Sequence, residues 1–364
     1  MSDLSDRPIV IVGCARSGTT LLQAMVHSHP RLAMPPENRF VMPVYRGRND
    51  FGDLREAANR DAVVDAIAAK GTKFRDLGVS RDALRRRAHE VPPTIGSLLG
   101  AALELYARRF DKQRWGDKRP NYIQDLDAVL ALFPDAQVVH VVRDGRDCVA
   151  SLKRMPWWTF GYPASVYKWA RAIDTGLRAR EELRPDQYHE VRYEELVADP
   201  ATELGALCAF LGEDFDPAML EHHRSSEEKV PEYKDWHEQV HRPVSQSAVQ
   251  RWQRDLDADE IRLFEHVAGE QLDAMGYERS LGRFHRGPSL RSRRAYRRFL
   301  AHRIRKEAAE DEEAARAARA YDRPVAAMLT SAQRRFARAQ GHGDLLGPAI
   351  TTDAGRIAEP QSRA

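Results

Sequence analysis

The sequence predicts an α/β fold built on a parallel sheet, and three observations carry that reading. Ile9-Val10-Ile11-Val12 is a continuous apolar, β-branched run, the pattern of a strand buried on both faces. A second run, Val138-Val139-His140-Val141-Val142, follows the turn Phe133-Pro134-Asp135. Each run leads directly into a segment with helical spacing, and strands alternating with helices build parallel sheets.

The elements follow in order. The first strand gives way to a loop, Gly13 to Thr20, and then to a helix whose Leu21, Leu22, Met25 and Val26 share a face and which Pro30 closes. Residues 53–110 read as a helical stretch long enough to serve as a lid. Its clearest helix carries Ile95, Leu98, Leu99, Ala102, Leu103, Tyr106 and Phe110 on one face. The second strand runs into a helix starting near Asp147. A weaker third strand, Tyr188–Arg192, continues as a helix through Glu195. From Arg283 the texture changes. Tyr296, Phe299, Leu300 and Ile304 space as an amphipathic helix whose other face is arginine. Glu307–Ala320 is rich in Ala, Glu and Arg, with Glu312 and Arg316 at favourable spacing. Val325, Met328, Leu329, Ala332 and Phe336 predict one more helix, and a disordered tail follows Gly341. The expected division is a domain over 1–282, a helical extension over 283–340 and a tail over 341–364.

Composition narrows the function classes. The chain has 364 residues, 42% of them hydrophobic, enough for a real core, so wholesale disorder is excluded. No apolar run approaches the roughly 18 residues of a membrane span. The run at Ile9–Val12 is too short for the core of a signal peptide. The expectation is a cytoplasmic protein, peripheral at most to a membrane. Cys14, Cys148 and Cys208 are far apart, which fits neither a disulfide framework nor a zinc site. The net charge is +3, but nine Arg and one Lys lie between Arg283 and Lys306 with no acid among them. Removing those ten charges leaves −7 on the rest: an acidic body with a basic segment.

Gly13-Cys14-Ala15-Arg16-Ser17-Gly18-Thr19-Thr20 has the spacing Gly-x4-Gly between a buried strand and a helix. Glycines let the backbone wrap an anion, and helix N-terminal amides point at it. Thr20 stands where a triphosphate-binding loop has its Ser or Thr, while Thr19 replaces the lysine that would reach the outer phosphates. Arg16 supplies the cation instead. The blander reading is an accidental glycine turn, which the strand and helix context opposes. The fold expected is therefore P-loop-like and three-layered, a central parallel sheet flanked by helices, with the C-terminal helical extension added. The second motif is Arg143-Asp144-Gly145-Arg146-Asp147 with Ser151 eight residues after Arg143. An arginine at the end of a parallel strand sits where open sheets bind ligands, and Ser151 one turn into the next helix can face the same phosphate. Taken alone, the segment reads equally well as a cluster of ion pairs.

Together these pieces resemble the sulfotransferases that use 3′-phosphoadenosine 5′-phosphosulfate (PAPS), and most of all the tyrosylprotein sulfotransferases and their bacterial relatives. The likeness continues through His29-Pro30, Glu37-Asn38-Arg39, Asp117-Lys118-Arg119-Pro120-Asn121, Arg192-Tyr193-Glu194-Glu195-Leu196 and Pro243-Val244-Ser245 to Arg251-Trp252, over about residues 7–280. The resemblance implies a 5′-phosphosulfate loop (Arg16, Ser17, Gly18, Thr19, Thr20), a 3′-phosphate clamp (Arg143, Ser151) and further nucleotide contacts at Tyr193, Ser245 and Arg251. It implies Glu37 as general base, with Lys118 and Arg16 neutralising charge on the transferred group, and no metal. A partly buried Glu37 is expected to have a raised pKa. Read alone, Glu37 is a solvated loop carboxylate, Lys118 a loop cation beside Asp117, and Arg251 an arginine near a helix start. The family's transition-state hydroxyl upstream of the Pro-Val pair has no match in Asp235-Trp236-His237-Glu238, so its role is not carried over.

The sequence thus points to PAPS-dependent sulfonate transfer onto a hydroxyl or amine acceptor of unassigned class. Trp157, Trp158 and Phe160 are candidates to line its pocket, or else core. The rivals are a P-loop kinase, opposed by Thr19 and by Arg143 ahead of Asp144, and a non-catalytic nucleotide- or membrane-binding module. For the basic helix at 289–306 three readings compete: a solvated face docked on the domain, an anionic membrane surface, and nucleic acid, the last disfavoured because no binding module surrounds it. A homodimer is also left open.

Overall fold

The computed structural model describes residues 7–156, 158–159, 161–225, 243–280 and 287–320. The segment 235–238, the helix expected at 325–336, the tail, Trp157 and Phe160 lie outside the described residues.

Five parallel strands form one sheet: β1 (Ile9–Gly13), β2 (Leu32–Ala33), β3 (Arg114–Lys118), β4 (Gln137–Val142) and β5 (Tyr188–Arg192), in the order β2-β3-β1-β4-β5. β1 lies between β3 and β4, with Val10 beside both Asp117 and Val138. Side chains of β1 and β4 alternate between two cores. Val10, Val12, Val138 and Val142 pack on one face, and Ile9, Ile11, Val139 and Val141 on the other. The first face is covered by α2 (Ile95–Arg108) and α4 (Gly161–Glu182), the second by α1 (Thr19–Ser28) and α5 (Pro200–Leu211). α3 (Gly145–Lys153) follows β4, two residues earlier than expected. The helical stretch at 53–110 is several short helices around α2, not one element.

β3 and β2 were not expected as strands. Arg-Trp-Gly-Asp-Lys has no apolar run, yet Arg114 is 2% exposed. Its guanidinium donates to Arg7 O at 2.6 Å and Leu211 O at 2.7 Å, and also to the Gln137 side chain. A buried charge is tolerated because its donors are answered. After α5, the chain returns through 243–256 to α6 (Ala258–Val267), and α7 (Leu290–Ala320) is one continuous helix.

Candidate active site

All five strands end at one edge of the sheet, and each delivers a predicted residue there. β1 opens into the glycine loop, β2 is followed by Glu37, and β3 ends in Lys118. Arg143 follows β4 directly, and Tyr193 follows β5. Lys118 is therefore a strand-end residue and not a loop cation.

The loop is tightly wound. Arg16 holds φ 72° and Gly18 holds φ 102°, both in the left-handed region. A Cβ on Gly18 would stand 2.4 Å from Cδ2 of Tyr193, so glycine is required both by conformation and by the ring above it. Ser17 is fully buried, its Oγ against Gly13 inside the loop, with no partner among the described residues. Thr19 and Thr20 begin α1, whose first-turn amides have no intrahelical acceptor.

Arg143 ties the loop to the C-terminal segment. It donates to Arg16 O at 3.0 Å and to Ala248 O at 2.5 Å, and its guanidinium stacks 4.3 Å from the centre of the Tyr193 ring. Arg16 in turn donates from Nε to Ser151 Oγ at 3.0 Å. The loop cation, the strand-end arginine and the clamp hydroxyl therefore meet. Burial, with help from the Arg143 and Arg154 charges, pushes the Arg16 pKa down to about 10. Guanidinium groups held this close call for an anion.

Ser245 and Arg251 are placed less centrally. Ser245 is exposed, and its Oγ caps the turn Gln246–Ala248 by accepting from Ser247 N at 3.1 Å. Arg251 faces Asp255 at 3.6 Å, and Asp255 also pairs with Arg154 just beyond the clamp helix. The sequence reading missed Asp147 as a fastener. Its carboxylate accepts from Gln250 N and Trp252 N, each at 2.8 Å, and so pins the segment carrying Ala248 over Arg143. Its place inside the Arg-Asp-Gly-Arg-Asp motif was the available signal.

On the other side of the loop, Lys118 is 2% exposed. Its Nζ lies 3.2 Å from Glu37 Oε2 and 3.3 Å from Thr20 Oγ1. Asp117 does not take this lysine. It accepts from Asn38 Nδ2 at 2.8 Å and Tyr122 OH at 2.7 Å, while Arg119 donates to Asn38 O at 3.0 Å. These bonds fix the backbone beside Glu37, and they too were missed as a unit. The expected rise in the Glu37 pKa is corrected: burial pushes it up, but Lys118, Arg119 and Lys73 together hold it below the usual glutamate value. Beyond Arg119 opens a cavity of about 530 Å³, lined in part by Arg39, Arg46, Lys70 and Asp125. Trp158 is spent structurally, donating from Nε1 to Ser165 Oγ at 3.0 Å.

The residues fit a phosphate-bearing nucleotide. Ser17 Oγ and Arg143 Nε are buried polar atoms without protein partners among the described residues.

Comparison with known proteins agrees with this geometry. The model of the sulfotransferase family matches residues 8–217. The Drosophila melanogaster protein-tyrosine sulfotransferase is 24% identical over 284 residues, 75% of this chain and 52% of that protein, so the chain spans about half the length of that relative. Nodulation protein NoeE of Sinorhizobium fredii is 26% identical over 307 residues, 77% of this chain and 68% of that protein. The solved sulfotransferase domain from the curacin biosynthetic pathway superposes with a TM-score of 0.53 at 21% identity, covering 75% of this chain and 98% of that domain, which shows a shared fold. With a family model matched across more than half its length, on a sheet whose edge gathers two phosphate-binding motifs, the chain belongs to the sulfotransferase family.

Proposed function

We propose that this protein transfers a sulfonate group from PAPS to a hydroxyl or amine acceptor, with Glu37 as general base. One observation carries the reading: a single buried ammonium, Lys118 Nζ, bridges the anion loop at Thr20 and the carboxylate of Glu37. The donor would supply a sulfonate already activated on a phosphate leaving group. Ser17, the first-turn amides of α1 and Arg16 would hold its 5′ end. Arg143 and Ser151 would hold its 3′-phosphate.

In an in-line displacement the acceptor oxygen bonds to sulfur as the bond from sulfur to the phosphate oxygen breaks. The acceptor proton passes to Glu37. Because its pKa is lowered, Glu37 is ionised at neutral pH and ready to accept. Charge growing on the leaving oxygen attracts Lys118 towards the loop. That weakens the pull of Lys118 on Glu37 and leaves burial, which favours the protonated acid, to dominate at the moment of proton transfer. Arg119, which donates to the carbonyl of Asn38 next to Glu37, also lines the cavity with Arg39, Arg46 and Lys70, and this excess of cations over Asp125 would favour an acceptor that carries negative charge.

Glu37→Gln tests the assignment. Calorimetric binding of 3′-phosphoadenosine 5′-phosphate (PAP) is expected to stay within about twofold. Transfer of labelled sulfonate to phenols and tyrosine peptides is expected to fall by about 10²–10⁴. Unchanged transfer would remove Glu37 from the chemistry.

A further inference from the structure

The outward face of α7 is not absorbed by the active site. Its N-terminus is anchored: Ser289 N and Oγ donate to Asp259 at 2.7 and 2.9 Å, and Ser292 Oγ does so at 2.5 Å. One face packs down, with the Phe299 ring 5.6 Å from Tyr167 of α4. At about 100° per residue, Arg291, Arg294, Arg297, Arg298 and Arg305 share the opposite face, and all five are exposed. Ile304, expected on the side away from the arginines, is on their side.

Among the described residues, the exposed large hydrophobic side chains are Leu290 and Ile304, at 70% and 57%. Both fall on this arginine face. Fourteen residues separate them, about 21 Å along the helix. The outward face is thus a row of arginines with an apolar side chain near each end. No acid occurs in the sequence between Arg283 and Lys306, whereas ordinary solvated surfaces mix the two signs.

We propose that this face docks the protein on an anionic lipid surface. Guanidinium groups meet lipid phosphates, and Leu290 and Ile304 enter the boundary between headgroups and acyl chains. An RNA backbone would satisfy the arginines and leave both apolar side chains in water, which is why lipid is the better match. In the sequence an acidic run, Glu307 to Glu313, follows at once, so the basic segment is bounded.

Co-sedimentation of the full chain with vesicles tests this. Binding is expected to vesicles containing phosphatidylglycerol and not to pure phosphatidylcholine, weakening as salt rises. The double variant R294A/R298A is expected to lower partitioning about 25-fold, roughly fivefold per charge. L290S/I304S is expected to lower partitioning while leaving any affinity for oligonucleotide RNA unchanged. Equal melting temperatures would establish that these exposed changes leave the fold intact. Absence of binding, equal binding to both vesicle types, or tighter binding to RNA at the same salt would overturn the proposal. So would a dimer in solution that R294A/R298A abolishes, which would assign the face to a second copy of the chain.

Discussion

Replacing Arg143 by alanine should separate the two ends of the nucleotide. The side chain does two jobs in the structure. It braces the site through Arg16 O and Ala248 O, and it keeps a buried Nε that has no partner among the described residues. Loss of the bracing affects any ligand in the loop. Two buried hydrogen bonds, partly replaced by water, are worth about 1 kcal/mol, or about fivefold in affinity. Loss of a charge-assisted contact to a 3′-phosphate adds about 2–3 kcal/mol. PAP binding should therefore weaken by about 200-fold or more. Adenosine 5′-phosphosulfate, which lacks the 3′-phosphate, should weaken only about fivefold. Calorimetry with both ligands on the same preparation makes the second the internal control for any change in folding. Equal losses would refute the clamp, and with it the assignment of Ser151.

Three further predictions follow from local physics. Gly18→Ala should cost about 2 kcal/mol in urea denaturation, since a Cβ at φ 102° meets the Tyr193 ring, and the cost should shrink in a Tyr193→Ala background; an identical cost in both would place the strain elsewhere. The acid limb of the transfer rate should lie below the usual glutamate range, because the folded pKa of Glu37 is lowered, and Lys118→Met should move the limb of the residual activity upward; an unmoved limb would show that the two groups are uncoupled. His140 is buried in β4 beside Tyr188 OH at 2.7 Å, and burial pushes its pKa down to about 3. The unfolded chain takes up this proton near pH 6.5 and the folded chain does not, so this part of the stability is present above pH 6.5 and lost as pH falls towards 3. Between pH 6.5 and 4.5 the loss is about 2 kcal/mol, and His140→Gln should flatten it in denaturant midpoints; a parallel pH profile in the variant would locate the acid sensitivity in other groups.

The parts of the fold readable from sequence are those whose physics is local. β1 and β4 announce themselves because strands buried on both faces need apolar, β-branched runs, whereas β5, with His189, Glu190 and Arg192 only half-buried, gives the weaker signal. The glycine loop is readable because its backbone conformation demands glycine. β3 is hidden because its inward groups are Arg114, Asp117 and Lys118, whose partners include Arg7, Asn38 and Glu37, 107, 79 and 81 residues away in the chain. β2 is two residues long and carries no period. The same distance problem explains the Glu37 pKa: burial is foreseeable from Leu32-Ala33-Met34, whereas the lysine that outweighs it arrives from another strand. The sequence assigns Arg143 and Ser151 to one phosphate and Arg16 to the other, and the contact of Arg16 with Ser151, which joins the two motifs, is visible only once β1 and β4 lie side by side.

The central claim is that this sheet edge binds a 3′,5′-bisphosphorylated nucleotide and not a triphosphate. Thermal-shift titration of the intact chain with PAP, set against ATP with Mg²⁺, tests it most directly, because a ligand selective for the folded state raises the melting temperature by mass action. A clear rise with PAP and none with ATP is the predicted result. A rise with ATP that exceeds the rise with PAP would contradict it and make the loop a kinase site.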